Sequence, residues 1–308
     1  MPSRISLSFI LLLFLSITGF AQNTNQPYIL VLGVAQDGGY PHMGCNKICC
    51  TKAWANPATQ RAVVSLALVD PKAKKWYLFD ATPDIKKQLK DFGKQTKNLY
   101  PYIPDGIFIT HAHIGHYTGL MEFGREVMNT KNLNVYVLPK LKSFLEENGP
   151  WSQLVKLNNI KITALEDGKP FAFDGNNVTA FTVPHRDEYS ETAGFKIETG
   201  ARKYLFIPDI DKWSKWNKSI VEMVKQVDFA FLDATFYSPE ELGNRPISEV
   251  PHPLVIETEK LFENEPASVK AKIQFIHLNH TNKLLWDKAA QKVFFKTGFN
   301  LAQQDGVY

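Results

Sequence analysis

Three histidines fall within six residues in the segment Thr110-His111-Ala112-His113-Ile114-Gly115-His116-Tyr117. Neutral imidazole offers a nitrogen lone pair at working pH and is the commonest metal ligand among side chains. An i, i+2 pair at a strand end can turn both rings into one pocket, and a third ring on the first turn of a following helix approaches from the side. Three of the chain's eight histidines in one such cluster argue for a bound cation rather than for ordinary loop positions. Further donors stand just beyond apolar runs: His185 after 177–183, Asp209 after 203–207 and His277 after 273–276. A polar residue at the end of a buried strand is placed to line a shared pocket. His280 competes with His277, and the position nearer the strand end favours His277.

Zinc on such donors lowers the pKa of its water to about 7 and polarises a carbonyl or phosphoryl oxygen. A 2-His-1-carboxylate subset of the same donors also suits Fe2+ and oxygen chemistry. Donor identity alone leaves hydrolysis and oxygenation open. Cys45, Cys49 and Cys50 are the chain's three cysteines, all in one loop. Adjacent thiols with one left over make a poor disulfide framework, so a metal site competes, with its fourth ligand unassigned.

The elements that must position these donors alternate between strands and helices. Residues 28–35 form an apolar, β-branched run that leaves into Gln36-Asp37-Gly38-Gly39. Residues 62–69 and 76–79 read as a hairpin turning at Asp70-Pro71-Lys72. Segment 106–110 is a short buried strand that runs straight into the histidines, and 135–138 is another. Strands also read at 160–165, 177–183, 194–198, 203–207, 229–232 and 273–276. Helical patterns cover 84–92, 140–147, 213–226 and 283–295. Two β-rich halves, each finished by helices, predict an α/β sandwich rather than a doubly wound sheet.

Of 308 residues, 44% are hydrophobic and 21% charged, enough apolar material for a sizeable core. The net charge, 35 minus 31 or +4, is dispersed, with no basic block that would track a nucleic-acid backbone. Arg4 precedes an apolar run over 5–20, followed by Ala21 and a polar stretch. That pattern reads as a secretory signal peptide, 1–21, cut after Ala21, with residues 22–308 as a single domain. It predicts an exported protein, periplasmic or secreted, with no membrane anchor after cleavage. The expected partner is a small-molecule substrate, and the oligomeric state is left open.

The ordered donors resemble the metallo-β-lactamase superfamily, whose hallmark is His-x-His-x-Asp-His, a distant His, a bridging Asp and a final His. The resemblance implies a four-layer αββα sandwich, an α+β form of the α/β class. It assigns His111, His113 and His185 to a first metal site, Asp209 to the bridge, and His116 and His277 to a second site. It gives Asp80, in Tyr77-Leu78-Phe79-Asp80-Ala81, the role of supporting the histidine loop. The opening 31–41, the cysteine loop and His277-Leu278-Asn279-His280-Thr281-Asn282 resemble the branch of coenzyme PQQ synthesis protein B and its relatives. Those relatives often carry a three-Cys loop, which implies a structural zinc on Cys45, Cys49 and Cys50.

Gly115 stands where the hallmark has Asp. That carboxylate normally binds the second metal and orients the water, so one Zn2+ is expected and the second site is weak or empty. Restoring the carboxylate by Gly115→Asp is then expected to add the second ion. A substitute base is sought in Asp37, on the loop that the resemblance places near the metal, and in Asp187 or Glu188. His252, between two prolines, is expected to line the pocket, and Asp233 to support a ligand imidazole. The leading reading is a metal-dependent hydrolase. A biosynthetic or oxygenase step like that of the PQQ relatives, or a non-catalytic metal-binding protein, are the alternatives.

Overall fold

The structure, a computed structural model, describes residues 25–243 and 246–308. The expected signal peptide lies outside the described residues. Two sheets carry the fold. The first takes β1 (Tyr28–Gly33), β2 (Ser65–Asp70), β3 (Lys75–Phe79), β4 (Gly106–Phe108), β5 (Leu133–Val137) and β6 (Ile160–Ala164) in chain order. The second contains β7 (Pro170–Phe173), β8 (Asn176–Val183), β9 (Thr192–Glu198), β10 (Lys203–Ile207), β11 (Phe229–Asp233), β12 (Ile273–Ile276) and β13 (Asn300–Leu301), again in chain order across the sheet.

Side-chain alternation explains the layers. Ile29, Val31, Leu66, Leu68, Tyr77 and Phe79 join one apolar cluster with Val178, Ala180, Phe195 and Ile197 of the other sheet. Their neighbours Leu30, Leu32, Ala67, Val69, Trp76 and Leu78 join a second cluster with Ile85, Leu89, Phe92, Leu141 and Leu145. Those last residues belong to the helices Ile85–Gln95 and Pro139–Glu147, which cover the outer face of the first sheet. A period of two thus sends alternate residues to the sheet–sheet core and to the helices. Aromatic contacts tie the sheets together, with Phe79 and Phe195 centroids 5.5 Å apart and Phe108 and Phe195 5.8 Å apart. Helices including Ile220–Lys225 and Val255–Leu261 bury Ile220, Val224 and Val255 in the core that contains the second sheet, completing the αββα sandwich.

Two helices are shorter than their patterns predict. The expected 213–226 helix is a short turn, Trp213–Lys215, and then Ile220–Lys225. Ser219 interrupts it by accepting a hydrogen bond from the Glu222 amide, as an N-cap does. The expected 283–295 helix breaks at Asp287, whose carboxylate accepts from the amides of Ala289 and Ala290. Among the described residues no helix is long and apolar enough to cross a membrane.

Strand direction fixes where the site forms. β3 and β4 are parallel, as are β10, β11 and β12, and β8 runs with β10 because each is antiparallel to β9. Their C-terminal ends therefore open on one rim. Asp80 and His277 leave β3 and β12 there in the left-handed region, with φ of 65° and 62°.

Candidate metal centre

The donors expected from the sequence meet on that rim. His111, His113, His185 and Asp209 place one donor atom each within 4.8 Å of one another. His111 Nε2 lies 3.4 Å from Asp209 Oδ2, and His185 Nε2 lies 3.3 Å from Asp209 Oδ1. Tetrahedral zinc with nitrogen and oxygen donors at about 2.0–2.2 Å has donor–donor edges of roughly 3.4 Å. Asp37, His116 and His277 make a second group. His116 Nε2 is 3.3 Å from Asp37 Oδ1, and His277 Nε2 is 3.6 Å from the same oxygen. Asp209 Oδ2 reaches this group too, 3.7 Å from His116 Nε2 and 3.9 Å from His277 Nε2. One carboxylate therefore spans both groups.

The other ring nitrogens are held by a buried frame. Asp80 Oδ2 meets His116 Nδ1 at 2.8 Å, while Asp80 Oδ1 accepts from the Thr110 amide at 2.8 Å. The Thr110 hydroxyl lies 3.0 Å from His111 Nδ1. Asp233 Oδ1 accepts from the Thr235 hydroxyl, which lies 2.8 Å from His277 Nδ1. Glu188 Oε2 lies 2.9 Å from His113 Nε2. Such partners fix tautomer and ring orientation. They leave Nε2 of His111, His116 and His277, Nδ1 of His113, both ring nitrogens of His185, and one oxygen each of Asp37 and Asp209 buried without a hydrogen-bond partner. Orphaned buried polar atoms are costly and rare. Eight of them converging on one rim fit a pair of divalent cations.

Electrostatics agree with that fit. Burial holds His111 well below its usual range, with neighbouring His116 adding to the effect, and pushes His185 down to about 4. Both rings are thus neutral and ready to donate a lone pair. Burial opposes charge on His116, but Asp80 and Asp37 outweigh it and raise its pKa. Burial likewise opposes ionisation of Asp209, but the surrounding histidines hold its carboxyl well below the carboxylate range. A bound cation would replace the proton on His116, which is how metal affinity becomes linked to protonation.

His252 stands beside this centre. Its Nδ1 is 3.1 Å from Asp209 Oδ1 and 2.9 Å from Asp233 Oδ2. Burial lowers its pKa, but Asp233 and then Asp209 dominate and bring it to about 10. Asp80, fully buried with its carboxylate bonded to Thr110 and His116, is a positioning residue rather than a group that meets substrate. Asp187 is not in either group; its carboxylate accepts from Thr192.

The cysteine loop forms a separate cluster. Cys45 and Cys49 sulfurs are 3.8 Å apart, Cys49 and Cys50 4.0 Å, and His280 Nδ1 is 3.5 Å from both Cys49 and Cys50. Tetrahedral zinc with sulfur at about 2.3 Å gives sulfur–sulfur edges of roughly 3.8 Å and sulfur–nitrogen edges of roughly 3.6 Å. His280 therefore fits the fourth position that sequence reasoning left unassigned, and His277 alone serves the rim. The missed signal was the three-residue spacing of the two histidines, which lets one loop serve two clusters. Cys49 and Cys50 lie on the helix Ile48–Ala55, also missed in the sequence. The Tyr40 hydroxyl donates to the Cys49 carbonyl and the Trp54 indole to the Cys45 carbonyl, pinning the loop.

Two donor groups sharing a carboxylate, at one rim of an αββα sandwich, define a protein of the metallo-β-lactamase fold. The chain belongs to the Beta-lactamase superfamily domain family, which it matches over residues 75–282. Its sequence falls with the PqqB-like branch. It is 24% identical over 285 residues to coenzyme PQQ synthesis protein B of Xanthomonas axonopodis pv. citri, covering 83% of this chain and 91% of that protein. The Gluconobacter oxydans protein of the same name is also 24% identical, over 91% of this chain and 97% of its own. Zn(2+)-bound PqqB from Methylobacterium extorquens superposes with a TM-score of 0.73 at 20% identity, covering 91% of this chain and 99% of that one. A diphosphatase from the PhnP family superposes with a TM-score of 0.65 at 21% identity, covering 92% and 96%.

Proposed function

We propose that this chain is a metal-dependent hydrolase that acts on a small substrate through a metal-activated water. The observation that carries the reading is the Asp209 carboxylate, set between two groups of orphaned imidazoles. His111, His113 and His185 with Asp209 would hold one zinc ion, and His116 and His277 with Asp209 a second. A bound cation of this kind supplies a water ionised near neutral pH and a Lewis acid for the substrate oxygen.

The protein's own part is orientation and proton supply. Asp80, Thr110 and Thr235 hold the rings in register, and Asp233 holds His252 through Nδ1. With Nδ1 so engaged, Nε2 is the nitrogen from which His252 can protonate a departing oxygen or nitrogen. A proton donor beside two cation sites suits substrates with poor leaving groups. Two neighbours by fold, a diphosphatase from the PhnP family and human tRNase Z, are in keeping with a hydrolytic reading.

The names of the curated relatives favour a second reading, a biosynthetic step with Fe2+ on the same donors. Elemental analysis of the purified chain, followed by turnover of phosphodiester, lactone and thioester substrates, separates the two. Zinc at the rim with hydrolytic turnover is the expected result. Iron there, with oxygen consumption and no hydrolysis, would overturn it.

A further inference from the structure

We propose that Asp37 supplies the carboxylate of the second cation site, and that glycine at 115 is what lets it in. The inference rests on the metal-site reading above and deepens it. The superfamily pattern draws this carboxylate from the residue just before His116, and here that residue has no side chain. A Cβ built on Gly115 would lie 2.0 Å from Asp37 Oδ1, 2.7 Å from its Cγ and 2.9 Å from its Cα. The last distance involves the main chain, so rotating the Asp37 side chain cannot relieve the clash. The loop after β1 occupies the space that a side chain at 115 would need.

The carboxylate is aimed and held. Asp37 Oδ2 accepts from the Gln36 amide group at 3.0 Å. Oδ1 is buried, has no hydrogen-bond partner, and faces Nε2 of both His116 and His277. The backbone fixes the approach. The Gln36 amide donates to the Leu278 carbonyl at 2.9 Å, and the Leu278 amide donates to Val34 at 2.9 Å. Asp37 and His277 are therefore each one residue from the same two-bond clamp and arrive at the site together. The donor set of the superfamily is kept in kind, two imidazoles and two carboxylates, with one carboxylate delivered from another part of the chain.

The expectation that Gly115→Asp would complete the site is thereby reversed. The new side chain would collide with the ligand already there and displace its loop. The test is metal stoichiometry and affinity of the full chain titrated with Zn2+ alone, read by elemental analysis and calorimetry. Asp37→Ala should lose one equivalent, or bind it about a hundredfold more weakly, more than the loss of a mere supporting hydrogen bond at most such sites. Gly115→Asp should gain none. The swap Asp37→Gly with Gly115→Asp should recover that equivalent. His113→Ala serves as the reference. If it loses an equivalent while Asp37→Ala binds like the parent chain, the assignment of Asp37 fails and the metal-site reading stands. If neither variant loses metal, that reading fails with it.

Discussion

Asp37 and the three cysteines share the connection between β1 and β2, and His277 and His280 share the loop after β12, yet the two clusters these segments build are opposite in kind. At the thiols, three sulfurs from 45–50 and one imidazole from a distant residue gather within 4.8 Å of one another. Every position is filled by protein, as in sites that stabilise a fold. At the rim, donors come from the ends of β1, β4, β8, β10 and β12, and one carboxylate is divided between two groups. Coordination shared in this way would leave room for water and substrate, as in sites that perform chemistry. Under the proposed function, donor type and closure, rather than position in the chain, would separate scaffold from reaction centre.

The largest effect should come from Asp209→Ala. With the spanning carboxylate gone, both rim equivalents should be lost and turnover should fall to background, while the thiol cluster keeps its metal. Elemental analysis that still finds rim metal would refute the shared-bridge geometry. Next comes Cys50→Ser. Loss of a ligand bound at about a hundredfold excess over its Kd costs roughly 2.7 kcal/mol. At about 2–4 °C per kcal/mol for a domain of this size, the melting temperature should fall by roughly 5–10 °C. A chelator should no longer shift the remaining transition to that extent, and an unchanged melting curve would mean that the thiols hold no metal. The smallest effect belongs to Glu188→Gln. This carboxylate is half exposed and only orients His113. The first rim equivalent should weaken by about tenfold at most, and thiol-bound metal should not change. A larger loss, read by competition with a chromophoric chelator, would make Glu188 a ligand.

The sequence made the rim legible wherever a donor followed an apolar strand directly. His111, His113, His185, Asp209 and His277 all have that local mark. Asp37 carries it too, but its role depends on the space left by Gly115, which only the packed structure reveals. In the sequence His280 reads only as a rival of His277, because nothing local says that the chain turns between them to face the thiols. The helices around 213–226 and 283–295 read as continuous because their apolar period runs on through the capping residues Ser219 and Asp287. Strand β7 escaped because it is only four residues long, opens on a proline and lies at a sheet edge between Gly168 and Gly175, too short a run to mark a strand.

The chain turns sharply at two corners, Asp80 and His277. A non-glycine residue with φ near 60° carries roughly 1–2 kcal/mol of steric cost. At His277 that cost is met without full compensation, since Nδ1 faces Thr235 and Nε2 has no hydrogen-bond partner. Durability and reactivity therefore make opposite demands on this position. A lineage ripened only for heat tolerance would drift toward glycine there, and would surrender its chemistry in doing so.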